Sequence, residues 1–219
     1  MFTIQLGLCY TVRKFERRMI AISENLCGSQ HGLPYLSLPP QHIVLWGQRG
    51  VGKSTLARRL LEDWKGPVCG FITRSSPPDA DGFRSIYLYA ADDPMPVEHT
   101  RNRIGRTNRM EHTMWPEVFD GLGVELLRAE PGSLILMDEL GFLEQDAAAF
   151  RREVLRCLDG NIPVLAVIKH KTHIPFLQEI RTHPRVQLYQ VTEENRDALP
   201  AELSPLIHNW NNARWQLHI

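Results

Sequence analysis

Gly47-Gln48-Arg49-Gly50-Val51-Gly52-Lys53-Ser54 reads as G-x-x-x-x-G-K-[ST], and Thr55 follows it. Glycines let a backbone wrap closely around phosphate oxygens where a Cβ would obstruct. Successive N–H groups then point inward as an anion nest at the positive end of the following helix. In this pattern the backbone from Gly47 to Thr55 binds the nucleotide phosphates. Lys53 reaches the β- and γ-phosphates, and the Ser54 hydroxyl ligates Mg²⁺. The flanks fit. His42-Ile43-Val44-Leu45-Trp46 is a short apolar run suited to a buried parallel strand. Thr55 to Leu61 is helix-forming, with Leu56, Leu60 and Leu61 on one face. Strand, loop and helix come in the order a phosphate loop requires.

Working outward, strand and helix signals alternate from residue 41 to 219, which predicts an α/β domain with a mostly parallel sheet covered on both sides. Val68 to Thr73 reads as a strand, Pro77, Pro78 and Gly82 as a turn, and Phe83 to Tyr89 as the returning strand of an added antiparallel hairpin. Residues 92 to 115 are polar and arginine-rich. Helices are expected over 116–129, 144–158 and about 206–215, with Pro175 opening a short one. Strands are expected over 133–137, 163–168 and 186–191. Residues 1 to 40 form a separate N-terminal extension. Phe2 to Val12 alternates as a half-buried strand, then come Arg13-Lys14 and Arg17-Arg18 and the breakers Gly28, Gly32, Pro34 and Pro39-Pro40.

Leu134-Ile135-Leu136-Met137-Asp138-Glu139 is an apolar strand ending in two carboxylates, the Walker B pattern. Open parallel sheets deliver functional groups at their carboxyl ends, so Asp138 is expected beside the phosphate loop, holding Mg²⁺. Glu139, immediately after it, is expected to polarise an attacking water as general base, with Lys53 as its catalytic partner.

Weaker candidates surround this pair. Gly141 reads as a close pass to the nucleotide or as a simple turn. Glu144 reads as an assistant to the site or as a carboxylate at a helix N-terminus. Arg101, Arg103, Arg106 and Arg109 are candidates to fold over the triphosphate, as are Arg49 and Arg74, against the default of surface arginines. His170, Lys171 and His173 follow a strand end and read as phosphate contacts or a polar loop. Thr192 to Asp197 reads as a border of the base or as a local capping arrangement.

Bulk properties narrow the class. The chain has 219 residues, 43% hydrophobic and 23% charged, with 25 basic and 25 acidic side chains. That balance creates no global field toward nucleic acid or acidic membranes. No apolar run approaches the ~20 residues of a membrane helix. Cys9, Cys27, Cys69 and Cys157 lie far apart without a C-x-x-C pair and read as reduced thiols of a cytoplasmic protein.

With these residues in view, the chain resembles the small P-loop nucleoside-triphosphatase family, also called the cancer-related or thermophile-type NTPases. The likeness rests on Gly47 to Thr55, Gly70-Phe71-Ile72-Thr73 with Gly82-Phe83, Ile104-Gly105-Arg106, Phe119 to Leu127, Asp138 to Gly141 with Glu144, and Val191 to Leu199. It implies a three-layer α/β/α fold and a cytoplasmic enzyme that hydrolyses ATP, GTP and other nucleoside triphosphates with Mg²⁺. Phe142 departs from the pattern, standing where the family often has Lys or Pro. So do residues 74–81 and the extension. From the residues alone, two rivals to hydrolysis stand: a nucleoside or metabolite kinase, and a nucleotide-dependent switch. No N-K-x-D guanine-reading motif occurs in the chain.

Overall fold

The computed structural model describes residues 42–108 and 110–216. The expected strand at 2–12, the basic cluster at 13–18 and Arg109 lie outside them. Strand β1, His42–Gly47, pairs in parallel with neighbours on both sides, β7 (Val164–Lys169) and β8 (Val186–Gln190). Its apolar side chains alternate between two cores: Val44 lies with Phe71, Phe119, Phe150 and Phe176, whereas Ile43 and Leu45 lie with Leu56, Leu60, Leu203 and Ile207. A strand apolar on both faces requires a helical layer on each.

Those layers are present. Helices α1 (Lys53–Glu62) and α5 (Leu199–Gln216) supply the second core. The first is covered by three helices: α2, running through Pro116–Val118, a π-turn at Phe119–Gly123 and Val124–Leu126; α3 (Ala148–Asp159); and α4 (Pro175–Thr182). The remaining strands are β2 (Val68–Ser75), β3 (Arg84–Ala90), β4 (Arg103–Thr107), β5 (His112–Met114) and β6 (Leu134–Leu140). Sheet order is β5-β4-β3-β2-β6-β7-β1-β8. The block β2-β6-β7-β1-β8 is parallel, and β3, β4 and β5 are antiparallel. The result is the expected three-layer α/β/α architecture with a mostly parallel sheet.

The structure departs from the sequence reading in three places. The polar stretch at 92–115 carries two strands, so the antiparallel hairpin grows into a meander. The helix expected from 144 begins at Ala148, because 141–147 forms turns in which Gln145 N donates to Phe142 O and Ala147 N to Glu144 O. The C-terminal helix starts earlier, at Leu199, and runs through Pro205.

Buried His42 ties β1 to its surroundings: Nε2 meets Leu158 O at 2.8 Å, and Nδ1 accepts from Val164 N at 3.2 Å. Burial lowers its pKa to about 4, so the ring is neutral near pH 7.

Candidate nucleotide site

Parallel pairing brings the carboxyl ends of β1, β6, β7 and β8 to one edge of the sheet. Gly47 pairs with Lys169 across β1 and β7, and Asp138 lies between Ile72 and Val167. The loop from Gly47 to Ser54 leaves β1 at this edge and turns into α1. Three glycines are required there, and Gly50 has φ 84°. A Cβ at Gly47 would sit 2.2 Å from Val191 O, and Gly52, the residue before α1, has φ 102°. The first turn of α1 holds no acidic side chain of its own, so none from the helix competes with a phosphate for its positive end. Gly47, Gln48, Arg49, Gly50, Gly52, Lys53, Ser54 and Thr55 line a cleft of about 1140 Å³. Val51 differs: its side chain is buried in the core against α1, so only its backbone is available to a phosphate.

Side chains from α1, β2, β6 and β7 converge on the loop. Ser54 Oγ donates to Asp138 Oδ1 at 2.8 Å. Buried Lys53 donates from Nζ to Gly47 O at 3.1 Å and Gln48 O at 3.0 Å, and lies 3.9 Å from Glu139 Oε2. The other oxygen of that carboxylate, Oε1, lies 3.4 Å from Lys169 Nζ. Glu139 N donates to Thr73 Oγ1 at 3.3 Å, which anchors its backbone to the end of β2.

The electrostatics are those of a partly dry site. Burial raises the Asp138 pKa, opposed by the Ser54 hydrogen bond, while the Glu139 charge adds to the rise. Burial likewise lowers the Lys53 pKa, and Glu139 and Asp138 counter it. Mg²⁺ prefers hard oxygen donors and keeps several waters. The Ser54 hydroxyl and Asp138 carboxylate, already in contact, are such a donor pair. Among the described residues no cluster of three or more His, Cys, Asp or Glu competes as a metal site.

The weaker candidates separate. Arg49 and Arg74 line the cleft, as do His170 and Lys171; His173 is not among the lining residues. The His170 ring lies 5.1 Å from that of Trp46. Of the arginines expected over the triphosphate, the described ones, Arg101, Arg103 and Arg106, do not line the main cleft. Arg103 lies on the Trp115 ring at 4.7 Å, while Arg106 covers Phe83 at 4.2 Å and pairs with Asp79 at 2.6 Å. Arg101 belongs to the short turn Thr100–Asn102, its N–H taken by His99. Thr107 and Asn108 of that segment do reach the cleft.

Glu144 is not at a helix start. It is fully buried, accepts from Gly141 N at 2.9 Å, and has a pKa raised to about 7 by burial. Thr192 to Asp197 forms a local cap: Thr192 N donates to Asn195 Oδ1, and Asn195 Nδ2 to Gln190 O. Thr192, Glu193 and Glu194 also border a smaller cavity of about 290 Å³ beside Gly47 and His170. Sequence reasoning missed Lys169, Thr73 and Arg84, all of which line the main cleft. Lys169 had a usable signal, because it ends the strand that pairs with both β1 and β6.

Comparison with known proteins bears on the family and the fold. A family model described as NTPase matches residues 42–204. The protein named Nucleoside-triphosphatase THEP1 from Natranaerobius thermophilus is 29% identical over 173 residues, covering 76% of this chain and 96% of that one. Its namesake from Aquifex aeolicus is 24% identical over 174 residues, covering 75% and 98%. Among solved structures, THEP1 from Aquifex aeolicus superposes with a TM-score of 0.62 at 24% identity, over 76% of this chain and 98% of that one. A human cancer-related nucleoside triphosphatase superposes at 0.55 with 22% identity, over 77% and 98%. At these identities the two structures speak to the fold.

Proposed function

This chain belongs to the NTPase family, and from that premise we propose that it is a Mg²⁺-dependent nucleoside-triphosphatase, cleaving ATP, GTP and other nucleoside triphosphates to the diphosphate and phosphate. One observation carries the reading: Ser54, Asp138, Lys53 and Glu139 meet within hydrogen-bond or ion-pair distance at the mouth of the phosphate loop. Backbone N–H groups from Gly47 to Thr55 and the α1 terminus bind the phosphate chain, and Lys53 neutralises its β and γ oxygens. Mg²⁺, held by Ser54 and Asp138, supplies charge neutralisation across the phosphates when bound.

Glu139 orients a water in line with the γ-phosphorus. The water oxygen bonds to phosphorus as the bond to the β–γ bridging oxygen breaks. Glu139 takes the proton, and the nucleoside diphosphate leaves with the bridging oxygen. Recognition through phosphates rather than base supports tolerance of several nucleotides. Widely spaced free thiols at Cys69 and Cys157 support a cytoplasmic setting. Among the described residues no helix is long and apolar enough to cross a membrane.

The cleft extends past the loop to Arg74, Arg84 and Asn108, which leaves room for an acceptor other than water. Phosphate release from ATP, GTP, CTP and UTP, measured with Mg²⁺ and no added acceptor, separates the readings. Release from all four supports the hydrolase. Turnover that begins only when a small hydroxyl acceptor is added contradicts it and supports a kinase.

A further inference from the structure

Lys169 is the second ammonium of the cleft, and its position is set by the fold rather than by chance at the surface. It ends β7 level with Gly47, the first glycine of the loop. Its carbonyl accepts from Arg181 Nη2 at 2.9 Å and Lys171 N at 2.8 Å, which fixes the backbone. Its stem runs over Gly141, where a Cβ would lie 2.6 Å from Cδ and 3.3 Å from Cγ. Its ammonium sits 5.0 Å from the Phe142 ring centroid and 3.4 Å from Glu139 Oε1. Apart from Lys53, the other cations lining the cleft are exposed, and where held they are held away from Glu139: Arg84 donates to Ser76 O at 3.1 Å and Arg74 lies 6.0 Å from the Tyr89 ring.

Glu139 therefore carries one ammonium on each oxygen, Lys53 on Oε2 and Lys169 on Oε1. Each ammonium competes with water for the carboxylate oxygen it faces. A γ-phosphoryl group brings more negative charge than one carboxylate, and phosphate oxygens are strong acceptors for ammonium donors.

We infer that Lys169 is a catalytic residue whose ammonium passes from Glu139 to the γ-phosphoryl oxygens when a triphosphate binds, freeing Glu139 to take the proton of the attacking water. The exchange makes the base available only with a γ-phosphate in place, and a diphosphate leaves Lys169 on Glu139. During the step, Lys169 neutralises charge on the transferred phosphoryl group while the bond to the bridging oxygen breaks. Gly141 and Phe142 aim the side chain: the glycine leaves room for its stem, and the ring supplies a face to its charge. This assignment rests on the hydrolytic reading above, and its test includes a measurement that does not.

Calorimetric titration with the β,γ-imido analogue of ATP and with ADP, in Mg²⁺, reads the γ-phosphate contact without turnover. Lys169→Met is expected to weaken the analogue by about tenfold or more while ADP affinity stays within about twofold. The turnover number should fall by about 10- to 100-fold. Gly141→Ala, which displaces the stem but keeps the lysine, should lower turnover in the same direction with ADP affinity again retained. An unchanged ratio of the two affinities, or an equal loss of both ligands, would overturn the role given to Lys169. If the wild-type protein releases no phosphate, hydrolysis fails as a reading, and the affinity ratio still decides Lys169.

Discussion

The Ser54 hydroxyl donates to Asp138 Oδ1 at 2.8 Å, joining residues 84 positions apart in the chain. The contact exists because β1 and β6 flank β7 in parallel, so the loop after one and the last residues of the other share an edge. It also opposes the upward push of burial on the Asp138 carboxyl.

Ser54→Ala removes a hydrogen bond to a buried charge and one oxygen donor for Mg²⁺. Such bonds contribute about 1.5–3 kcal/mol. The Mg²⁺ concentration for half-maximal turnover should rise by about tenfold or more, read from phosphate release across a Mg²⁺ titration. An unchanged Mg²⁺ dependence would remove Ser54 from the metal site.

Two buried groups give stability opposite pH slopes. The folded pKa of His42 lies near 4, below its unfolded value, so the unfolded chain binds more protons in that window. Stability from His42 therefore rises between about pH 4 and 6.5. Glu144 has a folded pKa near 7, above its unfolded value, so the folded chain binds more protons and stability falls between about pH 4.5 and 7. Each effect amounts to about 3 kcal/mol across its window. Urea unfolding of the wild-type protein should thus be nearly flat from about pH 5 to 6.5 as far as these two groups go. Glu144→Gln should make stability climb with pH over this range, and His42→Gln should make it fall. The same slope in both variants would contradict the assignment.

Phe150 is fully buried between Phe71 and Phe119, with ring centroids 5.5 Å and 4.9 Å away. Asp120 in α2 accepts from Phe150 N at 2.9 Å, so the residue joins two helices to the sheet. Phe150→Ala should cost about 3–5 kcal/mol in urea unfolding. A loss below about 1 kcal/mol would mean the core collapses around the gap.

Much of this molecule was legible in the chain because its signals are local. The glycine-rich loop, the apolar β1 run and the Asp138-Glu139 strand end each lie within a few residues, and parallel geometry does the rest. Strands β4 and β5 were hidden by their composition. β5 spans only three residues, and β4 carries Arg103 and Arg106, whose guanidinium groups are accommodated on Trp115 and Phe83. Those ring partners also explain why the arginines do not reach the site, although charge alone made them candidates. Lys169 was marked only by its place at a strand end, and its role was hidden for a different reason. Its partner Glu139 is remote in sequence, and only the pairing of β6 with β7 brings them together. Glu144 was misplaced because the helical pattern continued through 144–147, where the turn bonds of Gln145 and Ala147 win locally.

The measurement closest to the central claim compares phosphate release by the wild-type protein and Glu139→Gln at saturating Mg²⁺ and nucleoside triphosphate, with nucleotide affinity titrated alongside. The substitution keeps the backbone bond to Thr73 and nearly the same shape, and it removes the base. Release should fall by about 10²- to 10⁴-fold while affinity is retained. Release within about threefold of wild type, with binding intact, would contradict Glu139 as the group that takes the proton from water.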